Sequence, residues 1–475
     1  MVNESPYIAG WYYVPLSRLT DSDLVYIKRK LTFISNKDEY QENVEPIRLY
    51  HIREGYIGLP VDWGINSFGK HIDGFLDKTT TGIEDFSPVK FPDPNHERAA
   101  PGQQKFMSDM LQAVQDNYAI LAIAPTGTGK TVTTLNTIGK LGHKALIVTH
   151  LERLAMQWAD EAHQKLGIPK HRIGVAKQNK AEYKDKDIVV GIMHSLGMRK
   201  YPKEFYNAFG TVVWDEVHRV GAPLFSKTLG LFPSSYKIAL TATPTRKDGC
   251  AGVFKSYFGD GQVVATSKPL KCQVKVLDYY GNDRFLWGKQ HGSRVRAITM
   301  DSDRNSLIAN LIVDAYNKGR KILVVSERIQ HLQDLISMVT SAGVPPNKVG
   351  QFTGMYYTGA KRNKVSKDGK VTLVPECKKI KSDYLDWVKT KATVIFATYN
   401  MMSEGIDIPR LDFGIDATPR TDAIQLIGRI RRPFKNKPQP EWVTIRDVKS
   451  RVFCNYYNER LKDYAKSNAE VKRYE

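Results

Sequence analysis

The sequence predicts an α/β protein, with two parallel-sheet domains in tandem behind a small N-terminal α+β module. Three observations predict it. First, apolar runs alternate with amphipathic helical stretches from about residue 95 to 262: Ala119-Ile-Leu-Ala-Ile-Ala, Ala145-Leu-Ile-Val-Thr, Ile188-Val-Val-Gly-Ile, Thr211-Val-Val-Trp and Lys237-Ile-Ala-Leu-Thr. Strands that are apolar on both faces and separated by helices belong to a parallel sheet covered on both sides. Second, the same rhythm returns after about 270, in Lys321-Ile-Leu-Val-Val-Ser, Ala392-Thr-Val-Ile-Phe-Ala-Thr and Trp442-Val-Thr-Ile. Third, the first 90 residues have a different texture, with shorter β-branched and aromatic runs.

Taken in order, residues 1–92 form an accessory module. Ser22-Asp-Leu-Val-Tyr-Ile-Lys-Arg-Lys suits a short helix, and Leu31-Thr-Phe, Ile47-Arg-Leu-Tyr-His-Ile and Gly55-Tyr-Ile-Gly-Leu-Pro-Val suit strands. Phe91-Pro-Asp-Pro-Asn breaks both regular structures and reads as a linker. The first α/β domain then spans 93–266 and the second 267–450, with a Lys- and Gly-rich insertion at 355–391 expected as a basic loop or hairpin. Residues 451–475 read as a C-terminal basic helix.

Charge narrows the partners. Seventy Lys and Arg against fifty Asp and Glu leave +20, and a chain this basic usually meets a polyanion. No uncharged apolar run is long enough for a transmembrane helix, and the N-terminus lacks a signal-peptide pattern. Four cysteines lie far apart with no C-x-x-C, which argues against a disulfide framework or zinc ribbon and for a reducing, cytoplasmic setting.

The strongest local signal is Ala124-Pro-Thr-Gly-Thr-Gly-Lys-Thr131, between a buried strand and a helical stretch. Thr126, Gly127, Thr128 and Gly129 would wrap phosphates with backbone N–H groups, while the helix behind points its positive end at them. Lys130 would reach the β and γ phosphates and the Thr131 hydroxyl would hold Mg²⁺. Asp215-Glu216-Val217-His218 follows the run Thr211-Val-Val-Trp. Two carboxylates at a buried strand end are costly unless they meet a cation. Asp215 suits Mg²⁺ and Glu216 suits the attacking water. Leu240-Thr-Ala-Thr-Pro-Thr245 is a weaker signal of the same placement. In the second domain Gln425, Arg429 and Arg432 recur at i, i+4 and i+7, so one helical face would gather two guanidinium groups suited to a polyphosphate. A basic solvated face or a direct DNA contact fits the same spacing. Ala397-Thr-Tyr-Asn-Met-Met-Ser-Glu-Gly405-Ile-Asp407 reads as a strand ending in a polar turn that could couple two sites.

In this order the motifs resemble the core of superfamily 2 helicases of the DExH type: the Lys130 loop, Asp215 to His218, Thr241-Ala-Thr243, Gly405-Ile-Asp407 and Gln425-x-x-Gly428-Arg429-x-x-Arg432. Leu31-Thr-Phe, Ile47-Arg-Leu-Tyr50 and Leu59-Pro-Val-Asp-Trp-Gly64 are similar to a segment that precedes the core in helicases of phages and large DNA viruses, among them branch-migrating phage enzymes. The resemblance implies two RecA-like domains with ATP and Mg²⁺ held between them. Gln103 would read adenine, though Gly102 replaces the usual aromatic before it. Gly405 and Asp407 would belong to the nucleotide site, Arg429 would sense the γ-phosphate and Arg432 would act as the arginine finger. Thr149, His150, Arg153, His194 and Ser195 in the first domain, and Ser326, Arg328 and Thr398 in the second, would contact the nucleic acid strand. The expected partner is single-stranded, forked or branched DNA, with the chain acting as a monomer. Removing residues 1–90 is expected to impair branched substrates more than single-strand-stimulated ATPase. An RNA helicase, the motor of a restriction system and a scaffold with a dead ATPase are the competing readings. The absence of Asn-Lys-x-Asp disfavours a regulatory GTPase.

Overall fold

The computed structural model describes residues 5–35, 45–70, 75–82, 102–125, 128–246, 248–265, 270–281, 290–365, 371–403, 408–421, 424–467 and 469–474. The chain divides into two compact units, Met1–Lys268 and Pro269–Glu475. The α/β class is the one the apolar runs predict.

In the first unit the main sheet runs Lys180–Ala181, Ile173–Lys177, Ile188–Ile192, Ala145–Thr149, Thr211–Trp214, Tyr236–Thr241, Ala119–Ile123, Val263–Val264. Its pairings are parallel apart from that of Lys180–Ala181 with Ile173–Lys177. Ala145–Thr149 and Ile188–Ile192 are buried at every position, as strands covered on both faces must be. Parallel order brings the C-terminal ends of the seven other strands to one edge, where α/β proteins bind ligands.

The N-terminal residues build a smaller sheet: His51–Arg53, Tyr56–Leu59, Tyr12–Pro15, Tyr7–Ile8, Leu76–Asp77. It packs into the core of the main domain. Ile8, Tyr12, Val14, Ile57 and Leu59 share one apolar cluster with Val212, Trp214, Tyr257 and Phe258. The Tyr257 hydroxyl donates to Gly10 O and accepts from the Gly230 N–H at 3.1 Å. Trp11 packs edge-on against Tyr257 and so close to Gly230 that a Cβ there would stand 1.7 Å from its indole nitrogen. Gly230 also has φ +73°, so glycine is needed on both counts. Beyond Leu76–Asp77 the chain straps onto the main domain, Thr80 bridging to Ser234 and Gly82 to Phe209.

The second unit holds a seven-stranded parallel sheet among the described residues: Val349–Phe352, Val394–Thr398, Ile322–Ser326, Phe413–Asp416, Glu441–Asp447, Gln273–Tyr279, Glu470–Tyr474. Residues 451–475 are not helical throughout. The helix Arg451–Lys466 is followed by the edge strand Glu470–Tyr474, which pairs parallel with Gln273–Tyr279. The insertion forms an antiparallel ribbon, Met355–Val365 with Val371–Lys379, and then the helix Ser382–Lys391.

Candidate active site

Three neighbouring strands of the first unit carry the chemistry at their C-terminal ends. Ala119–Ile123 leads into the phosphate loop, Thr211–Trp214 into Asp215 and Glu216, and Tyr236–Thr241 ends at Thr241. Thr126 and Gly127 lie outside the described residues. Thr128 folds the loop locally, its hydroxyl donating to Pro125 O at 2.8 Å. Gly129, at φ +85°, is the N-cap of the helix Lys130–Leu141, and no side chain caps that helix. Its first N–H groups are therefore open to an anion.

Gln103 opens the helix Gln103–Asp116 and is buried with its amide against Gly129, where a Cβ would stand 2.4 Å from Nε2. The structure thus brings the adenine candidate to the phosphate loop. It also explains Gly102, the helix N-cap at φ +81°, a conformation an aromatic residue rarely adopts.

Lys130 Nζ donates to Glu216 Oε1 at 2.9 Å. The other carboxylate oxygen, Oε2, is buried with no hydrogen-bond donor, and His218 Nδ1 stands 3.4 Å away. Burial alone would raise the Glu216 carboxyl, but the Lys130 ammonium overrides it and the group is held down at about 2. Glu216 is also one of the few non-glycine residues in the left-handed region, at φ +50°, a strain that tends to collect at functional sites. The Asp215 carboxylate is fixed from both sides: Oδ1 accepts from the Glu216 N–H at 2.9 Å and Oδ2 from the Trp158 indole N–H at 2.9 Å. Burial and the adjacent Glu216 push the Asp215 carboxyl above its ordinary value. His218 is driven the other way. Burial, with help from the nearby cations, lowers it to about 4, so its ring is neutral at pH 7 and Nδ1 meets the Thr241 hydroxyl at 3.2 Å. Thr241 Oγ1 in turn accepts from the Thr243 N–H at 3.1 Å. Arg246 grips Asp248 and donates to His218 O.

Magnesium fits this donor set. Among the described residues no group of three or more His, Cys, Asp or Glu could cage a metal. A buried carboxylate at Asp215 and a hydroxyl at Thr131, the second residue of the helix behind the loop, are donors of the kind a cation needs when phosphates and water complete its shell.

The strand-contact candidates of the first unit sit along the same sheet edge. Thr149 is in register with Ile192, so the Thr149-His150 and His194-Ser195 segments are neighbours. Their side chains differ in role. Thr149 is buried and its hydroxyl donates to Leu151 O, while Ser195 is buried and accepts from the Gln178 N–H. His194 is exposed, and His150 and Arg153 are half-buried. In the second unit Ser326 and Thr398 are register partners at adjacent strand ends. Ser326 is fully buried against His331, so its hydroxyl does not face outward as expected, and Arg328 and Thr398 reach the surface instead.

Arg429 and Arg432 are both buried, and burial lowers Arg432 to about 10. They do not share a helical face. The helix Ile424–Ile430 stops before Arg432, because the residue ahead of Pro433 is disfavoured in the α region. Between them Arg431 is structural, donating to Leu270 O and Ser467 O. Gly405 and Asp407 lie outside the described residues, as does the side chain of Gln425. Sequence reasoning missed Trp158 as a site residue. It occupies an apolar position of the helix Glu152–Leu166 and reads as core, yet a buried indole N–H requires an acceptor, and that requirement was the available signal.

Residues 97–246 match the family described as type III restriction enzyme, res subunit. The mimivirus protein L396, named among ATP-dependent RNA helicases, is 24% identical across 98% of this chain and 85% of its own length. Helicase D10 of Escherichia phage T5 is 27% identical across 74% of this chain and 72% of its own. The chain is similar to proteins named as ATP-driven helicases. Its fold is also that of solved helicases: yeast Dbp5 bound to RNA and ADP BeF3 matches with a TM-score of 0.53 at 14% identity, over 80% of this chain and 90% of that one. In this chain no helix among the described residues is long and apolar enough to cross a membrane.

Proposed function

We propose that the helicase acts on forked or branched DNA, using ATP with Mg²⁺ to drive unwinding or branch migration in replication, recombination or repair. The observation that carries the ATPase half is the Lys130–Glu216 pair with Glu216 Oε2 buried and unmet. Lys130 leaves Glu216 to meet the terminal phosphates, and the freed carboxylate, whose burial then favours taking up a proton, orients and deprotonates the attacking water. Asp215 and Thr131 would hold a magnesium ion, which would supply positive charge against the phosphates. Gln103 reads the base, and Gly405 and Asp407 complete the nucleotide site. Arg429 and Arg432 stabilise the charge that develops on the γ-phosphate in the transition state. His150, Arg153, His194, Arg328 and Thr398 grip the strand, mainly through phosphate and sugar, so sequence preference is low.

Three features support DNA: the net charge of +20, the phage relative named helicase, and the N-terminal segment similar to phage and viral helicases. The printed name of L396 favours a second reading, an RNA helicase. ATPase stimulation by single strand, duplex, fork, four-way junction and RNA separates the two. Strongest stimulation by forks or junctions of DNA is the expected result, and strongest stimulation by RNA overturns it.

A further inference from the structure

We propose that the ribbon Met355–Val365 and Val371–Lys379 is a duplex-DNA binding element, lying in a groove with its lysines against the phosphates. The proposal rests on the DNA-helicase reading and adds a site to it.

The ribbon is a two-stranded sheet of its own, and among the described residues no third strand pairs with it. Residues 355–381 contain eight Lys and Arg against two acids, Asp368 and Glu376, a net of +6. Lys361, Lys378, Lys379 and Lys381 are exposed, and no carboxylate among the described residues pairs with any of them. Glu376, the nearest candidate to neutralise them, is committed elsewhere: its Oε2 accepts from the Thr358 hydroxyl at 2.6 Å. That bond closes an irregularity in which residues 358–360 lie opposite Glu376, with Gly359 at φ +85°. Such bulges bend and twist a ribbon, and they are built features rather than defects.

The base of the ribbon is clamped. The Gln333 amide donates to Tyr357 O at 3.0 Å and accepts from the Tyr357 N–H at 3.1 Å. Gln333 lies on the helix Ile329–Ser341, which begins immediately after Arg328, one of the proposed strand contacts. A charged arm held by its base, with Lys361, Lys378 and Lys379 exposed, is suited to meeting a surface outside its own domain.

Chemistry favours a duplex over a single strand. The major groove of B-DNA admits a two-stranded ribbon. Strands of eleven and nine residues span about 30 Å at roughly 3.3 Å per residue, close to one turn of the duplex. Single strands are gripped by exposed aromatic platforms, whereas the tyrosines here, Tyr356 and Tyr357, are half-buried at the clamped base. What projects is lysine, a point charge for phosphate oxygens.

The test uses the full chain with Lys361, Lys378 and Lys379 all changed to Gln, and a second variant with the same three changed to Glu. Fluorescence anisotropy reads binding to a blunt duplex DNA, a single-stranded DNA and a duplex RNA across a salt series. With each lost phosphate contact worth about 0.9 in the slope of log K against log salt, the Gln variant should flatten the duplex-DNA slope by about 2–3. The Glu variant should weaken duplex binding further. Single-strand binding, unstimulated ATPase and thermal unfolding should match the parent. An unchanged duplex slope overturns the proposal and leaves the helicase reading standing, as does a parent that binds no duplex while its ATPase responds to single strands. An equal loss on duplex RNA overturns the commitment to DNA. Conversely, ATPase indifferent to every nucleic acid removes the helicase reading even where the duplex slope changes.

Discussion

Truncation to residues 93–475 should yield a chain that does not fold cooperatively, because the N-terminal residues complete the core of the first helicase unit. The helix Val61–Phe68 packs on Ala251–Phe258, Phe33 touches Gly252, and Trp11 covers Tyr257 and Gly230. Val253, Phe254 and Tyr257 are all fully buried in the shared cluster. Uncovering three such side chains costs about 1.5–3 kcal/mol each, or about 5–9 kcal/mol in total. A whole domain is stable by only about 5–15 kcal/mol. The loss is therefore comparable to the entire margin. Circular dichroism on heating and in urea, with ATPase assayed in parallel, reads the outcome on purified full-length and truncated chains. Tyr257→Phe supplies a graded version. It removes the hydroxyl that joins Gly10 O to the Gly230 N–H and should cost about 1–3 kcal/mol, a drop of several degrees in Tm. A truncated chain that melts cooperatively within a few degrees of the parent and retains its ATPase would refute the shared core. It would also restore the expectation that the segment serves branched substrates alone.

Other perturbations probe the site directly. Lys130→Ala should lower nucleic-acid-stimulated turnover by at least about 10²-fold while the circular dichroism spectrum stays unchanged; normal turnover would remove Lys130 from the phosphates. Arg432→Ala should reduce kcat far more than nucleotide affinity measured by titration calorimetry, and a variant that merely binds ATP weakly contradicts the finger role. Trp158→Phe keeps the packing but deletes the N–H held by Asp215. The Mg²⁺ concentration for half-maximal ATPase should rise several-fold with little change in Tm, and an unaltered Mg²⁺ requirement would make Trp158 plain core. Stability should fall with acidification between about pH 6.5 and 4, because burial depresses His218 to about 4 and His331 to about 3. The unfolded chain takes up those protons before the folded chain does, so urea midpoints should decline through that window and decline less in His331→Gln.

Elements whose cause is local were readable from the chain. Continuous apolar runs gave the parallel strands, and a glycine-rich segment marked the turn between the strand Ala119–Ile123 and the helix Lys130–Leu141. What escaped depends on contacts between distant residues. Gly10 and Tyr257 are 247 positions apart, so nothing near either one signals that the N-terminal sheet and the helicase core are one body. Spacing placed Arg432 on a helical face, but Pro433 ended the helix first. The resemblance to helicases puts Thr149, Ser195 and Ser326 on the nucleic acid. Each instead satisfies a nearby group of its own domain, because a buried hydroxyl at the end of a buried strand or in the helix that follows is costly without a partner.

The position of Trp158 bears on how strand binding reaches the nucleotide. The helix Glu152–Leu166 begins two residues after His150, carries Arg153 in its first turn, and delivers the Trp158 indole to Asp215 at 2.9 Å. On the proposed reading, one rigid element therefore touches the strand at its start and the magnesium carboxylate a turn and a half later. Asp215 is joined through its neighbour's backbone to Glu216, and Glu216 is paired with Lys130. A shift of that helix on engaging a strand would move Asp215 and the Lys130–Glu216 pair together, so stimulation by nucleic acid requires no path through the second unit. Trp158→Phe should then reduce the fold-stimulation by DNA more than the unstimulated rate. An equal fall in both would mean that the indole only holds the carboxylate and that coupling enters elsewhere.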